Sequence, residues 1–217
     1  MKKLVSFVGL AVSLVFLAGC DDSGPNSTLD LIPPTMDMNR DIVSTSLVFD
    51  VTSKRADATI VIAGSDSQGA SFEVGGLDVT AVLSPSTPLP VRFAVDSGRL
   101  DVGVPATTNP VELHIQYSYV TQQNFDGYLA EKLTFLWPRF CGNLFPCKSI
   151  PSEGSTYTME LIGIPMGDIG VFPAEIPMDA PSYMPAFALG DYKYVMLGKT
   201  TAGTEVGVYH LPGEEAA

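Results

Sequence analysis

The chain has 217 residues, with 12 Lys plus Arg against 24 Asp plus Glu, a formal charge of −12 and a pI of about 4.4. That balance argues against nucleic acid as a partner, because phosphate binding rests on clustered basic side chains. A hydrophobic content of 46% is too high for a wholly disordered chain, and 20 Gly with 17 Pro suit short strands better than long helices.

The first twenty residues read as an address. Met1-Lys2-Lys3 is a short basic head, an apolar run follows from Leu4 to Leu17, and the run ends Leu17-Ala18-Gly19-Cys20. A charged head, a short apolar stretch and a small-residue cleavage site describe a bacterial export signal. The last four residues look like a lipobox, which makes residues 1–19 a lipoprotein signal peptide and Cys20 the lipidated residue. A transmembrane anchor is the alternative, but the run is shorter than the ~20 residues a spanning helix needs. Several acyl chains anchor stably where one binds only marginally. The expected location is therefore the bacterial cell envelope, lipid-anchored to a membrane and facing the periplasm. Asp21 resembles the retention signal of enteric inner-membrane lipoproteins and favours that membrane.

Removing residues 1–19 takes away Lys2 and Lys3 and no acid, so the charge moves from −12 to −14. Such a chain has no electrostatic reason to lie on an anionic bilayer. Residues 20–40 include Ser23-Gly24-Pro25-Asn26-Ser27 and Pro33-Pro34 and have a flexible linker's composition.

From residue 41 to 213 the apolar residues alternate or come in short runs. Strands are expected at Ser46–Val51, Ala58–Ala63, Ala70–Val74, Val79–Leu83, Val91–Val95 and Leu100–Val104. Further strands are expected at Val111–Tyr119, Lys132–Trp137, Thr156–Ile164, Tyr183–Leu189, Tyr192–Leu197 and Val206–Leu211. Turn formers such as Gly75-Gly76, Asp96-Ser97-Gly98 and Asp126-Gly127 separate them. The expectation is a single all-β domain, a bent sandwich or saddle-like sheet of many short strands with little helix, and a tail at 214–217.

Catalytic chemistry is hard to assemble from these residues. Only two histidines exist, His114 and His210, each in an expected strand and without a His-Glu-x-x-His motif. There is no Gly-x-Ser-x-Gly elbow or Ser-x-x-Lys pair. Gly198-Lys199-Thr200 ends like a phosphate loop, but Lys193 stands where that loop needs Gly. Glu153, Glu160, Asp168, Glu175 and Asp179 lack the spacing of a calcium loop and read as a solvated acidic face. With Cys20 lipidated, Cys141 and Cys147 remain. They read as a disulfide in an oxidising compartment, with free thiols as the alternative.

The segment Leu133 to Pro151, with Trp137-Pro138-Arg139 and Phe145-Pro146-Cys147-Lys148-Ser149-Ile150-Pro151, resembles a landmark of the aminopeptidase N family of zinc metallopeptidases. Those enzymes carry Ala-Arg-x-x-Phe-Pro-Cys-x-Asp-Glu-Pro in an N-terminal, saddle-shaped β-domain. Ser155–Ile164 with Pro165-Met166-Gly167 looks like the strand and turn that follow it. Tyr183-Met184-Pro185-Ala186-Phe187-Ala188-Leu189-Gly190-Asp191-Tyr192 is similar to the family's Tyr-Leu-x-Ala-Phe-x-Val-Gly-Asp-Phe segment. Upstream, Val111-Glu112-Leu113-His114-Ile115-Gln116-Tyr117 matches a Leu-x-Ile-x-Tyr strand, and Val206–Gly213 looks like the strand that leads into the catalytic domain.

The resemblance implies a non-catalytic domain that packs on a catalytic domain, in cis or as a separate chain, and helps shape its peptide-binding cleft. Zinc is implied only for that absent domain, so this chain itself needs no cofactor. Trp137 and Phe145 are the expected cleft residues. Trp137 replaces the Gln or Glu with which the family holds a substrate's amino terminus. Ser149-Ile150 replaces Asp-Glu, and Cys141-Gly142 replaces Ala-Arg. The alternative is a stand-alone, membrane-tethered β-module that binds a peptide, protein or glycan. The two readings differ over one property: the first leaves an apolar face uncovered when the chain is alone.

Overall fold

The computed structural model describes residues 32–86, 90–120, 127–129, 133–137, 141–150 and 152–214, all within one unit, Leu31–Ala217. The regular elements among them are fifteen β-strands and no helix. They are β1 (Ile42–Asp50), β2 (Arg55–Ile62), β3 (Ala70–Glu73), β4 (Asp78–Leu83), β5 (Phe93–Asp96), β6 (Arg99–Val102), β7 (Val111–Ser118) and β8 (Gly127–Leu129). The remainder are β9 (Leu133–Leu136), β10 (Ser155–Ile162), β11 (Ile169–Val171), β12 (Glu175–Ala180), β13 (Phe187–Gly190), β14 (Lys193–Lys199) and β15 (Glu205–His210).

Period-two alternation builds the largest sheet, ordered β12-β10-β1-β2-β7-β4. Its pairs are antiparallel except β1 with β10, where Leu47 lies beside Met159 and Phe49 beside Leu161. One face is apolar and buried: Leu47 and Phe49, Ala58 and Ile60, Leu113 and Ile115, Tyr157 and Met159. The other face carries Ser46, Asp57, Glu112, Gln116, Thr158 and Glu160, all exposed. A sheet of this kind leaves one side to water and must bury the other.

Two small antiparallel sheets contribute to the same core. The three-stranded sheet β3-β6-β5 adds Phe72, Leu100 and Val102, and the four-stranded sheet β11-β13-β9-β8 adds Leu136, Phe187 and Leu189. Phe49 makes one joint, its ring 5.3 Å from that of Phe187 and 5.7 Å, edge-on, from that of Tyr119.

Residues 32–40, expected as the end of a linker, sit on this body. Thr35 bridges Val102, and Asp37 exchanges hydrogen bonds with Ser71, whose amide donates to the Asp37 carbonyl at 2.9 Å. Arg40 is buried and donates to the carbonyls of Ala63, Gly69 and Pro105. The chain passes so close that a Cβ on Gly103 would stand 2.0 Å from the Ile32 carbonyl oxygen. Backbone hydrogen bonds and a buried guanidinium outweigh a linker-like composition here. The linker residues 20–31 and the tail residues 215–217 lie outside the described residues.

Twelve strands were expected, and β8, β11 and β12 are additional. β12 contains Pro177, which a sheet tolerates at an edge, and β12 is an edge strand. Residues 183–186, expected as strand, instead complete and follow a turn in which the Met184 amide donates to the Pro181 carbonyl at 3.0 Å, and β13 starts only at Phe187. Gly127, expected in a turn, opens β8.

Phe49→Ala is expected to cost about 3–5 kcal/mol in urea unfolding, because it empties the joint between sheets, whereas Met166→Ala at a fully exposed site stays within ~0.5 kcal/mol. Burial pushes the phenol of Tyr157 up to about 12 and raises Tyr117 and Tyr119 as well. A tyrosine whose folded pKa lies above its unfolded value near 10 contributes stability that is present below that value and lost as pH rises past it. Urea midpoints should therefore fall as pH rises above about 10, and the tyrosinate absorbance of these three rings should appear together with unfolding.

Candidate functional site

The segment after β9 carries the strongest sequence signal, and its residues divide between surface and core. Trp137 follows Leu136, the last residue of β9, and is 40% exposed. β9 pairs with β13 in a register that sets Leu136 beside Phe187, so one further residue places Trp137 next to Ala186. Tyr183 and Met184, both about half exposed, lie in the turn just before that point. This end of the four-stranded sheet therefore leaves three large apolar side chains exposed.

Phe145 does not join them. Its side chain is fully buried, with the ring 5.9 Å from that of Tyr157 and edge-on to it, so it serves the core and not a cleft. The reason is the loop that holds it. Cys141 and Cys147 are joined as a disulfide with Cα atoms 5.6 Å apart, and Gly142 donates its amide to Cys147 Sγ at 3.0 Å. Gly142 has φ +83°, and a Cβ there would stand 2.7 Å from the Gly75 amide nitrogen, so only glycine fits. Glu73 and Cys147 exchange two backbone hydrogen bonds of 2.8 and 3.2 Å, and the Glu73 carboxylate accepts from the Ser149 amide and hydroxyl. The loop is thus sewn to β3 and points Phe145 inward.

An ion pair sits under the same loop. The Lys148 side chain is 1% exposed, and its ammonium donates to the Arg40 carbonyl and to Glu153 Oε1 at 2.9 Å. The same Glu153 oxygen accepts from the Ile42 amide at 3.2 Å. The pair ties the loop to the start of β1 and β10. Composition gave no signal for it, because Glu153 reads as one of several scattered acids.

The other candidates fall apart in space or in chemistry. His114, in β7, pairs with Glu112 at 2.7 Å on the exposed face of the main sheet, while His210 ends β15 in a separate sheet. Gly198-Lys199-Thr200 belongs to the end of a hairpin, with Lys199 paired to Glu205 at 3.2 Å, and no helix follows. Among the described residues no group of three or more His, Cys, Asp or Glu is placed to hold a metal ion. A polar cleft of about 480 Å³ lies across β2, β7 and β4, lined by Arg55, Asp57, Asp78, Thr80 and Gln116. Cys20 lies outside the described residues.

A second apolar surface lies at the opposite end of β13. β14 and β15 pair only with each other and expose Tyr194, Val195, Met196, Leu197, Val206, Val208 and Tyr209. Ile169, also exposed, is paired with Gly190 where the chain leaves β13 for this hairpin.

Glu153→Gln should cost about 3 kcal/mol in urea unfolding, because it leaves the Lys148 ammonium buried without its counter-charge. Adding Lys148→Met to Glu153→Gln should recover part of that loss, which a double-mutant cycle measures.

No family model matches this sequence, and no curated protein matches it. Solved structures do match in fold. The crystal structure of Legionella pneumophila aminopeptidase A in complex with aspartic acid superposes with a TM-score of 0.65 at 13% identity, covering 82% of this chain and 25% of that one. An M1 zinc metallopeptidase from Deinococcus radiodurans gives 0.61 at 15% identity, covering 83% and 50%. A two-domain M1 zinc metallopeptidase bound to L-tryptophan gives 0.59 at 16% identity, covering 82% and 49%. The likeness is one of fold, and this chain spans a quarter to a half of the structures it matches.

Proposed function

We propose that this chain is the non-catalytic β-domain of an aminopeptidase N-like zinc metallopeptidase, held at a membrane by lipid on Cys20 and packed against a catalytic domain. The observation that carries the reading is the fold match itself: the same body occurs as a quarter to a half of longer zinc metallopeptidase chains. The uncovered apolar hairpin supports it, because a contiguous exposed apolar surface marks a contact with another protein surface.

The domain's part is to close one side of the peptide cleft. Trp137 would contribute a flat apolar wall for a substrate side chain. Its indole donates one hydrogen bond and accepts none, so it does not hold a substrate's ammonium group. Zinc and the water it activates belong to the catalytic domain. The disulfide and the Lys148–Glu153 pair hold the loop that follows this segment against β3 and the start of β1. Export through the lipobox puts the domain in the cell envelope, facing the periplasm, with the inner membrane favoured by Asp21.

Purified chain, with or without added zinc, should hydrolyse no aminoacyl p-nitroanilide, and chelator-sensitive turnover by the chain alone would contradict a non-catalytic role. Cys20→Ala should move the chain from the membrane to the soluble fraction on fractionation and immunoblotting. Retention in the membrane would remove the lipid anchor from the account.

A further inference from the structure

The hairpin β14–β15 is the least covered element among the described residues. A two-stranded ribbon alone is marginal in water and needs a third strand or a packed face. Here both faces are apolar. Alternation puts Tyr194, Met196 and Tyr209 on one side, where the rings of Tyr194 and Tyr209 lie 4.9 Å apart, and Val195, Val206 and Val208 on the other. Each of these six is roughly half exposed.

The two free edges differ. β14 begins and ends with lysine, Lys193 and Lys199, and its register with β15 shifts between Met196 and Gly198. Edge lysines and bulges are the devices by which proteins block unwanted strand pairing. β15 carries neither. Val206-Gly207-Val208-Tyr209 runs without Lys, without Pro and without a break in its own backbone alternation. One edge is guarded and the other is open.

We propose that the open edge of β15 takes up a strand of the metallopeptidase catalytic domain, so that the ribbon becomes part of a sheet shared across the domain interface. The proposal rests on the functional reading above, which supplies the occupant: the structures that share this fold carry it within a longer zinc metallopeptidase chain. Main-chain hydrogen bonds along β15 supply register. The incoming strand must be apolar on both faces, because it continues the valine row on one side and the tyrosine–methionine row on the other. Lys193 and Lys199 keep a second strand from the β14 side.

The test uses the chain made at its natural level, solubilised gently from membranes and isolated by antibody. The species is assayed for chelator-sensitive hydrolysis of aminoacyl p-nitroanilides and then for amide hydrogen exchange over residues 205–210, beside the purified chain alone. Exchange over 205–210 should be about 10-fold slower or more in the active species. Val206→Lys and Val208→Lys should abolish that protection, and Leu197→Lys on the guarded edge should leave it. Unchanged exchange in β1, β2 and β7 shows that each variant is folded. Activity with no protection of β15 overturns this inference and leaves the functional reading standing. No peptidase activity with the chain overturns both. Protection in a species made only of copies of this chain also overturns it, since the occupant would then be a second copy.

Discussion

A sheet with one apolar face has to be covered, and much of this molecule follows from that constraint. The six-stranded sheet turns Leu47, Phe49, Ile60, Leu113, Ile115 and Met159 to one side and polar residues to the other. No helix is available among the described residues, so short strands supply the cover. Phe49 sits where the large sheet meets the four-stranded one, against Phe187. Trp137 owes its place to this arrangement, since it extends from a strand whose neighbour, β13, carries the ring that Phe49 packs on.

The disulfide loop shows how one short segment can tie distant elements together. Cys141, Gly142 and Cys147 close a tight turn onto β3, and Lys148 reaches under it to Glu153 and the Arg40 carbonyl. Such a buried pair contributes little by itself, but removing either partner strands a charge. The consequence is that residues 141–149 are tied to β3 and to the start of β1.

Much of the fold was legible in the residues. Alternating Val, Ile, Tyr and Thr marked twelve of the fifteen strands, because a half-buried strand must alternate. The three it did not mark each have a physical reason. β8 and β11 are only three residues long, too short for periodicity to register, and β12 contains a proline that reads as a breaker until its edge position is known. The parallel pairing of β1 with β10 joins segments about a hundred residues apart and leaves no local trace. At the candidate site, the resemblance alone marks Trp137 as a cleft residue, and the structure shows that it is 40% exposed. Phe145 was read as a cleft residue because its motif is a family landmark, yet the loop turns it into the core. The Lys148–Glu153 pair was invisible, since nothing local distinguishes a buried carboxylate from a solvated one.

The fold likeness and the uncovered hairpin are the two observations on which the proposed role, a domain that works beside a catalytic partner, rests. The most direct measurement is the native mass of the species recognised by an antibody against residues 41–213 in gently solubilised membranes, by size-exclusion chromatography with light scattering. The account predicts a particle well above the mass of this chain, with peptidase polypeptide accounting for the excess. A monodisperse particle at the mass of the lipidated chain alone would contradict it.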